Sequence, residues 1–223
     1  MKNKFIYILL FVLFISCERP PITPISQTYI GSIAFSGSSL YPCCFLQTVS
    51  DSYKLTLNHN LIGNNMIVDG IEYFADDIVK ITGIVKPSYE GSISDFDLEI
   101  ETIKKWTTGQ NIQRFLGEYN LKGIWKVSMP FQDELTWESN VIITTGTESD
   151  LLIQGIGFVY SAFKAFVLDD DFFIPGQLGD TVWYYAESLI GQGKIKNDSL
   201  FINYNNGGGF GKLKCEGKGK KVD

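Results

Sequence analysis

The chain has a single histidine, His59, in the turn-like stretch NHNLIGNN. A catalytic imidazole needs a nucleophile or carboxylate within hydrogen-bond reach. No G-x-S-x-G elbow and no H-E-x-x-H helix is present to supply one. The four cysteines show no C-x-x-C or Cys/His spacing of a zinc site, so neither a metal nor a cofactor is expected. The stretch Asn206 to Lys212 lacks the spacing of a phosphate loop, and Leu213 stands where a serine or threonine is required. Asp169, Asp170 and Asp171 are not followed by the glycine and glutamate that shape an EF-hand, and read as a solvated hairpin turn. Positive charge is also short: 19 Lys and Arg face 25 Asp and Glu. An acidic chain without a basic stripe is a poor partner for nucleic acid, whose binding rests on phosphate neutralisation.

No apolar run reaches the roughly 20 residues that a membrane-spanning helix needs. The longest, Phe5 to Ile15, has 11 residues; Lys2 and Lys4 precede it and Ser16-Cys17 follow it. That order of charged, apolar and small-residue regions is a secretory signal peptide. The segment Phe14-Ile15-Ser16-Cys17 resembles the lipobox of bacterial lipoproteins. The resemblance implies cleavage before Cys17, a covalent lipid on that residue and attachment to a membrane. Residues 1–16 are then lost, and with Lys2 and Lys4 gone the net charge moves from −6 to −8. Residues 17–27, rich in proline, read as an extended tether.

Alanine and long amphipathic runs are scarce, whereas β-branched and aromatic residues are plentiful, so the mature chain is expected to be mostly β. Over residues 28–106 short strand-like pieces alternate with Gly, Asn, Asp and Ser turn signals. The pieces Asp76-Asp77-Ile78-Val79-Lys80-Ile81-Thr82-Gly83 and Leu98-Glu99-Ile100-Glu101-Thr102-Ile103 resemble the small OB-like barrel of exported bacterial lipoproteins. Residues 107–118 read as a connector, with one or two helical turns.

From residue 119 to 217, turn signals at 147–150, 169–171 and 196–198 fall at the spacing of an up-and-down meander. Gly123-Ile124-Trp125 near its start, with Lys212 and Lys214 on its last strand, resembles the lipocalin, or calycin, barrel of Bacteroidetes-type lipoproteins. The resemblance implies that Trp125 closes one barrel end beneath a basic side chain, a cation–π contact worth about 0.5–2 kcal/mol. Residues 218–223 read as a frayed basic tail.

Aromatic residues crowd residues 158–185. Trp183, Tyr184 and Tyr185 cannot all face inward on a strand, so Trp183 and Tyr185 are candidates for a ligand-contacting surface or for packing between domains. Cys43, Cys44 and Cys215 remain once Cys17 carries lipid. A bridge from Cys43 or Cys44 to Cys215, and three buried thiols, are both open readings.

These features together predict two small antiparallel barrels on a leash. The expected role is non-catalytic: binding an apolar or glycan ligand, or scaffolding an envelope protein, at the periplasmic face of the outer membrane. The competing expectation is a hydrolase drawing on Asp76, Asp77 or Glu138.

Overall fold

The computed structural model describes residues 25–36, 43–57, 60–61, 66–88, 95–127, 134–156, 162–182, 185–208 and 211–222. Cys17, His59 and Trp183 lie outside them. The described chain is all β, as its composition predicts, and forms two barrels.

The first unit holds β1 (Ser26–Ser36), β2 (Cys43–Gln47), β3 (Ser52–Leu57), the short β4 (Asn60–Leu61), a small hairpin of β5 (Met66–Val68) and β6 (Ile71–Tyr73), then β7 (Ile78–Pro87) and β8 (Phe96–Lys105). The sheet runs β2-β1-β7-β8-β3, and a further β2–β3 pairing closes these five strands into a ring. One pairing, β3 with β8, is parallel; the other four in the ring are antiparallel. The β7–β8 register slips between Thr82 and Gly83, and the strands approach so closely there that a Cβ on Gly83 would meet the Glu99 carbonyl oxygen at 2.2 Å. Inward residues Ile33, Leu46, Leu55, Val79, Ile81 and Leu98 fill the ring. Their alternation with polar neighbours is what burying one face of a pleated strand requires.

The second unit is a closed eight-stranded meander. It comprises β9 (Gly117–Val127), β10 (Leu135–Thr145), β11 (Leu151–Gln154), β12 (Phe163–Leu168), β13 (Asp171–Val182), β14 (Tyr185–Lys196), β15 (Ser199–Gly208) and β16 (Gly211–Lys221). Every neighbour is antiparallel, and β16 returns to pair with β9. The register of β13 and β14 slips after Ile174, where Pro175 has no N–H to give the ladder. Residues 218–221 are not a frayed tail: Lys218 pairs with Lys122 and Lys220 with Asn120, so they complete the closing strand. Likewise Ser26 and Gln27, placed in the tether by sequence, already pair with Ile84 and Gly83.

Large and small residues interlock inside this barrel. The Trp137 indole lies against Gly123 and Gly217, at which a Cβ would come within 2.5 and 2.7 Å of it. Phe172 is seated over Gly193 in the same way. The connector forms a turn instead of a helix, with Phe115 N–H donating to the Ile112 carbonyl at 2.9 Å. Phe115 is fully buried and meets Phe172 edge-on at 5.8 Å, stoppering the barrel end that faces the first unit.

Candidate functional site

The two barrels meet through an apolar seam and a set of ion pairs. Ile30, Val49 and Ile78 of the first unit pack with Leu168 and Phe173 of the second, and Trp106, Phe166 and Ile190 border them. The Trp106 ring meets Phe166 edge-on at 4.9 Å, and its indole N–H donates to Asp150 at 2.6 Å. The Asn205 side-chain amide donates to the Val49 carbonyl. Thus part of the aromatic excess, Phe166 and Phe173, is spent between the barrels, while Phe163 and Phe172 fill the second barrel.

The acidic turn Asp169-Asp170-Asp171 is the electrostatic part of the seam, not a merely solvated hairpin. Asp169 bends back in the left-handed region, with φ at 58°, which aspartate tolerates. Its carboxylate pairs with Lys104 and, at 3.5 Å, with Lys80. Asp171 pairs with Lys80 at 2.9 Å, and Asp170 with Arg114. The hydrogen bond from Lys104 holds the Asp169 carboxyl below its ordinary value, against the opposing effect of burial. Burial alone would depress Lys80, but the hydrogen bond and charge of Asp171, with Asp169 behind it, outweigh that and raise it.

Beside this seam opens a cleft of about 760 Å³. One wall is Thr28, Ile30 and Lys80 of the first barrel; the other is the outer face of β14, β15, β16 and β9. Strand register lays side chains across that face in rows. Asp171, Lys194, Phe201, Lys218, Lys122 and Glu138 are successive partners on β13, β14, β15, β16, β9 and β10. The adjacent row is Gln192, Asn203, Glu216 and Ile124. The Lys218 ammonium lies 5.0 Å from the Phe201 ring centroid, and Lys122 pairs with Glu138 at 3.2 Å. The cleft can therefore offer cationic donors, amides and apolar surface to a polar ligand of modest size.

The residues singled out in the sequence are dispersed. Trp125 points into the second barrel opposite Cys215, whereas Lys214, its expected cap, is exposed on the outer face opposite Lys126. Lys212 pairs with Gly207 and Tyr185 with Val182 in the strand ladders. The three cysteines form no disulfide: Cys44 is buried in the first barrel and Cys215 in the second, so of the two open readings the bridge is not made, and Cys43 is only half-buried. Burial pushes the Cys44 thiol up to about 12 and the Cys215 thiol up to about 11. Asp77 pairs with Lys105 at 2.5 Å and accepts the Phe74 N–H at 2.7 Å, while Glu138 sits on the other barrel. No group of three metal-ligating side chains is found among the described residues.

Sequence inspection missed Lys122, Lys194, Phe201, Lys218 and Asn203. Their outward phase was readable from alternation, and the turn at Asn197-Asp198 fixes Lys194 opposite Phe201. The alignment of Lys218 with Lys122 was not readable, because it depends on barrel closure across nearly 100 residues.

Comparison with known proteins adds two distant likenesses. No family model and no curated protein matches the sequence. Among solved structures, a Nostoc punctiforme protein of unknown function from the DUF3598 family is similar at 8% identity and a TM-score of 0.37, covering 89% of this chain and 94% of its own. A candidate outer membrane protein of Bacteroides fragilis is similar at 14% identity and a TM-score of 0.35, covering 88% and 98%. With scores this low, neither likeness assigns a property to this chain.

Proposed function

We propose that this chain is a lipid-anchored envelope protein that binds a saccharide, without chemistry of its own, in the cleft between its barrels. The anchor reading rests on the signal peptide, Cys17 and the tether; the absence of an acidic run after Cys17, where Glu18 is followed by Arg19, supports the periplasmic face of the outer membrane over the cell surface. The first barrel's order, β1-β2-β3-β8-β7 around the ring with its single parallel pair, supports the OB-like likeness, a fold that commonly serves oligosaccharides. The second barrel's meander supports the lipocalin-like one. Its described interior is filled by Tyr119, Leu121, Phe163, Phe172 and both Trp125 and Trp137, which favours the cleft over a lipocalin cup and a polar ligand over an apolar one.

The observation that carries the reading is the cleft itself, walled by both barrels beside the seam that joins them. Asp77 and Glu138 are engaged in ion pairs on different barrels, which supports binding over hydrolysis. Two measurements test it. Palmitate labelling should mark the wild type and not Cys17→Ala; a labelled Cys17→Ala protein removes the anchor. Titration of the full chain with maltotriose and trigalacturonate should shift the resonances of Asn203 and Gln192 with at least one of them. If neither saccharide moves them, the binding reading is wrong.

A further inference from the structure

The outer wall of the cleft carries an electrostatic conflict within the protein. Lys218 and Lys122 are direct partners across β16 and β9, and Lys194 lies on the same row beyond Phe201. Like charges placed opposite each other destabilise a sheet, typically by a few tenths of a kcal/mol to about 1 kcal/mol. Across the whole chain acids outnumber bases, yet the cleft reverses that balance: four lysines, with Lys80, against Asp171 and Glu216. Among the described residues, two of the lysines have protein counter-charges, Lys80 in Asp171 and Lys122 in Glu138, although the second pair is well exposed. Lys218 instead rests on the face of Phe201, which places its ammonium at the cleft wall without neutralising it.

Beside this row, Asn203 and Gln192 present amides suited to hydroxyl groups, and the facing acid is Glu216. A ligand that relieves the lysine repulsion must carry negative charge, and one that also uses the amides must carry hydroxyls. We infer that the cleft selects acidic saccharides, with an anionic group between Lys122 and Lys218 and sugar hydroxyls on Asn203 and Gln192. This inference rests on the saccharide-binding reading and narrows it. The shared chemistry is an anionic sugar, whose charge is either carboxylate or phosphate.

The experiment is calorimetric titration of the full-length protein with trigalacturonate, glucose 6-phosphate and neutral maltotriose, beside Lys122→Gln, Lys218→Gln and the conservative Lys218→Arg. At least one acidic sugar should bind about tenfold more tightly than maltotriose. Which of the two does so tells carboxylate from phosphate. Lys218→Gln and Lys122→Gln should each weaken the acidic sugar about fivefold, Lys218→Arg should retain it, and added salt should weaken it in the wild type. Thermal melts guard against misfolding: the ligand-free Lys218→Gln protein should keep a single cooperative transition close to that of the wild type, because the lost contact with Phe201 and the relieved like-charge repulsion are of similar size and opposite sign. Equal affinity for acidic and neutral sugars, or acidic binding untouched by both Gln variants, overturns the inference while the saccharide reading stands. If no sugar binds, both are overturned.

Discussion

The Lys80 ammonium lies 2.9 Å from the Asp171 carboxylate, so a lysine within β7 and the first residue of β13 tie one barrel to the other. Both side chains keep partial exposure, 22% for Lys80 and 28% for Asp171, which screens their attraction. A double-mutant cycle of Lys80→Met and Asp171→Asn, followed by urea unfolding, should give a coupling of about 1 kcal/mol. Additive single effects would falsify the clamp.

The same clamp fixes a pH dependence. Asp169 is depressed below its ordinary value of 3.8, so its contribution is complete above that pH and is lost as the pH falls through the lower folded value. Lys80 is raised above its ordinary 10.5, so its contribution is complete below 10.5 and is lost as the pH climbs through the higher folded value. Inter-barrel contacts, followed by the Trp106 indole resonance, should hold between these limits and loosen below pH 3.8 and above pH 10.5. A transition centred near neutrality would point to another group.

Overpacking should expose the interlock inside the second barrel. An alanine at Gly217 would bring its Cβ to 2.7 Å from Trp137, and the indole, flanked by Tyr204 edge-on at 6.3 Å, has little room to retreat. Gly217→Ala is expected to cost about 1–3 kcal/mol and to change tryptophan emission. Gly123→Ala should be worse, because its Cβ would also meet the Glu216 carbonyl oxygen at 2.1 Å. Equal stability of the Gly217 variant and wild type in denaturant would show that the indole yields.

Removing the stopper tests the connector. Phe115 is fully buried against Phe172, and the Tyr119 hydroxyl donates to its carbonyl at 3.0 Å. Phe115→Ala is expected to lose about 3–5 kcal/mol in chemical denaturation. A loss below about 1 kcal/mol would mean that the turn merely covers the barrel end.

Thiol chemistry distinguishes buried cysteines from a bridge. With Cys44 at about 12 and Cys215 at about 11, neither should react with iodoacetamide at pH 8 in the folded protein, and both should alkylate in urea without a reductant. A requirement for reductant would restore the disulfide reading.

The hydrophobic pattern and the turn residues determined much of this protein by themselves. Inward positions such as Leu200, Ile202 and Tyr204 alternate with Phe201 and Asn203, and turns such as Asn197-Asp198 set neighbouring strands antiparallel. Those signals are local, since side-chain alternation has a period of 2 and a tight hairpin fixes its own register. The stretch from Lys2 to Cys17, on which the expectation of export rests, is local too. Only the tertiary structure decided that Lys218 faces Lys122, that Trp125 looks on Cys215 and not on Lys214, and that Asp169 and Asp171 of one turn clamp the first barrel through Lys104 and Lys80. Each of these joins residues far apart in the chain, where closure of the barrel and docking of the two units set the partners. Such pairings carry loop-closure entropy that many weak contacts repay together, so no short stretch of sequence encodes them.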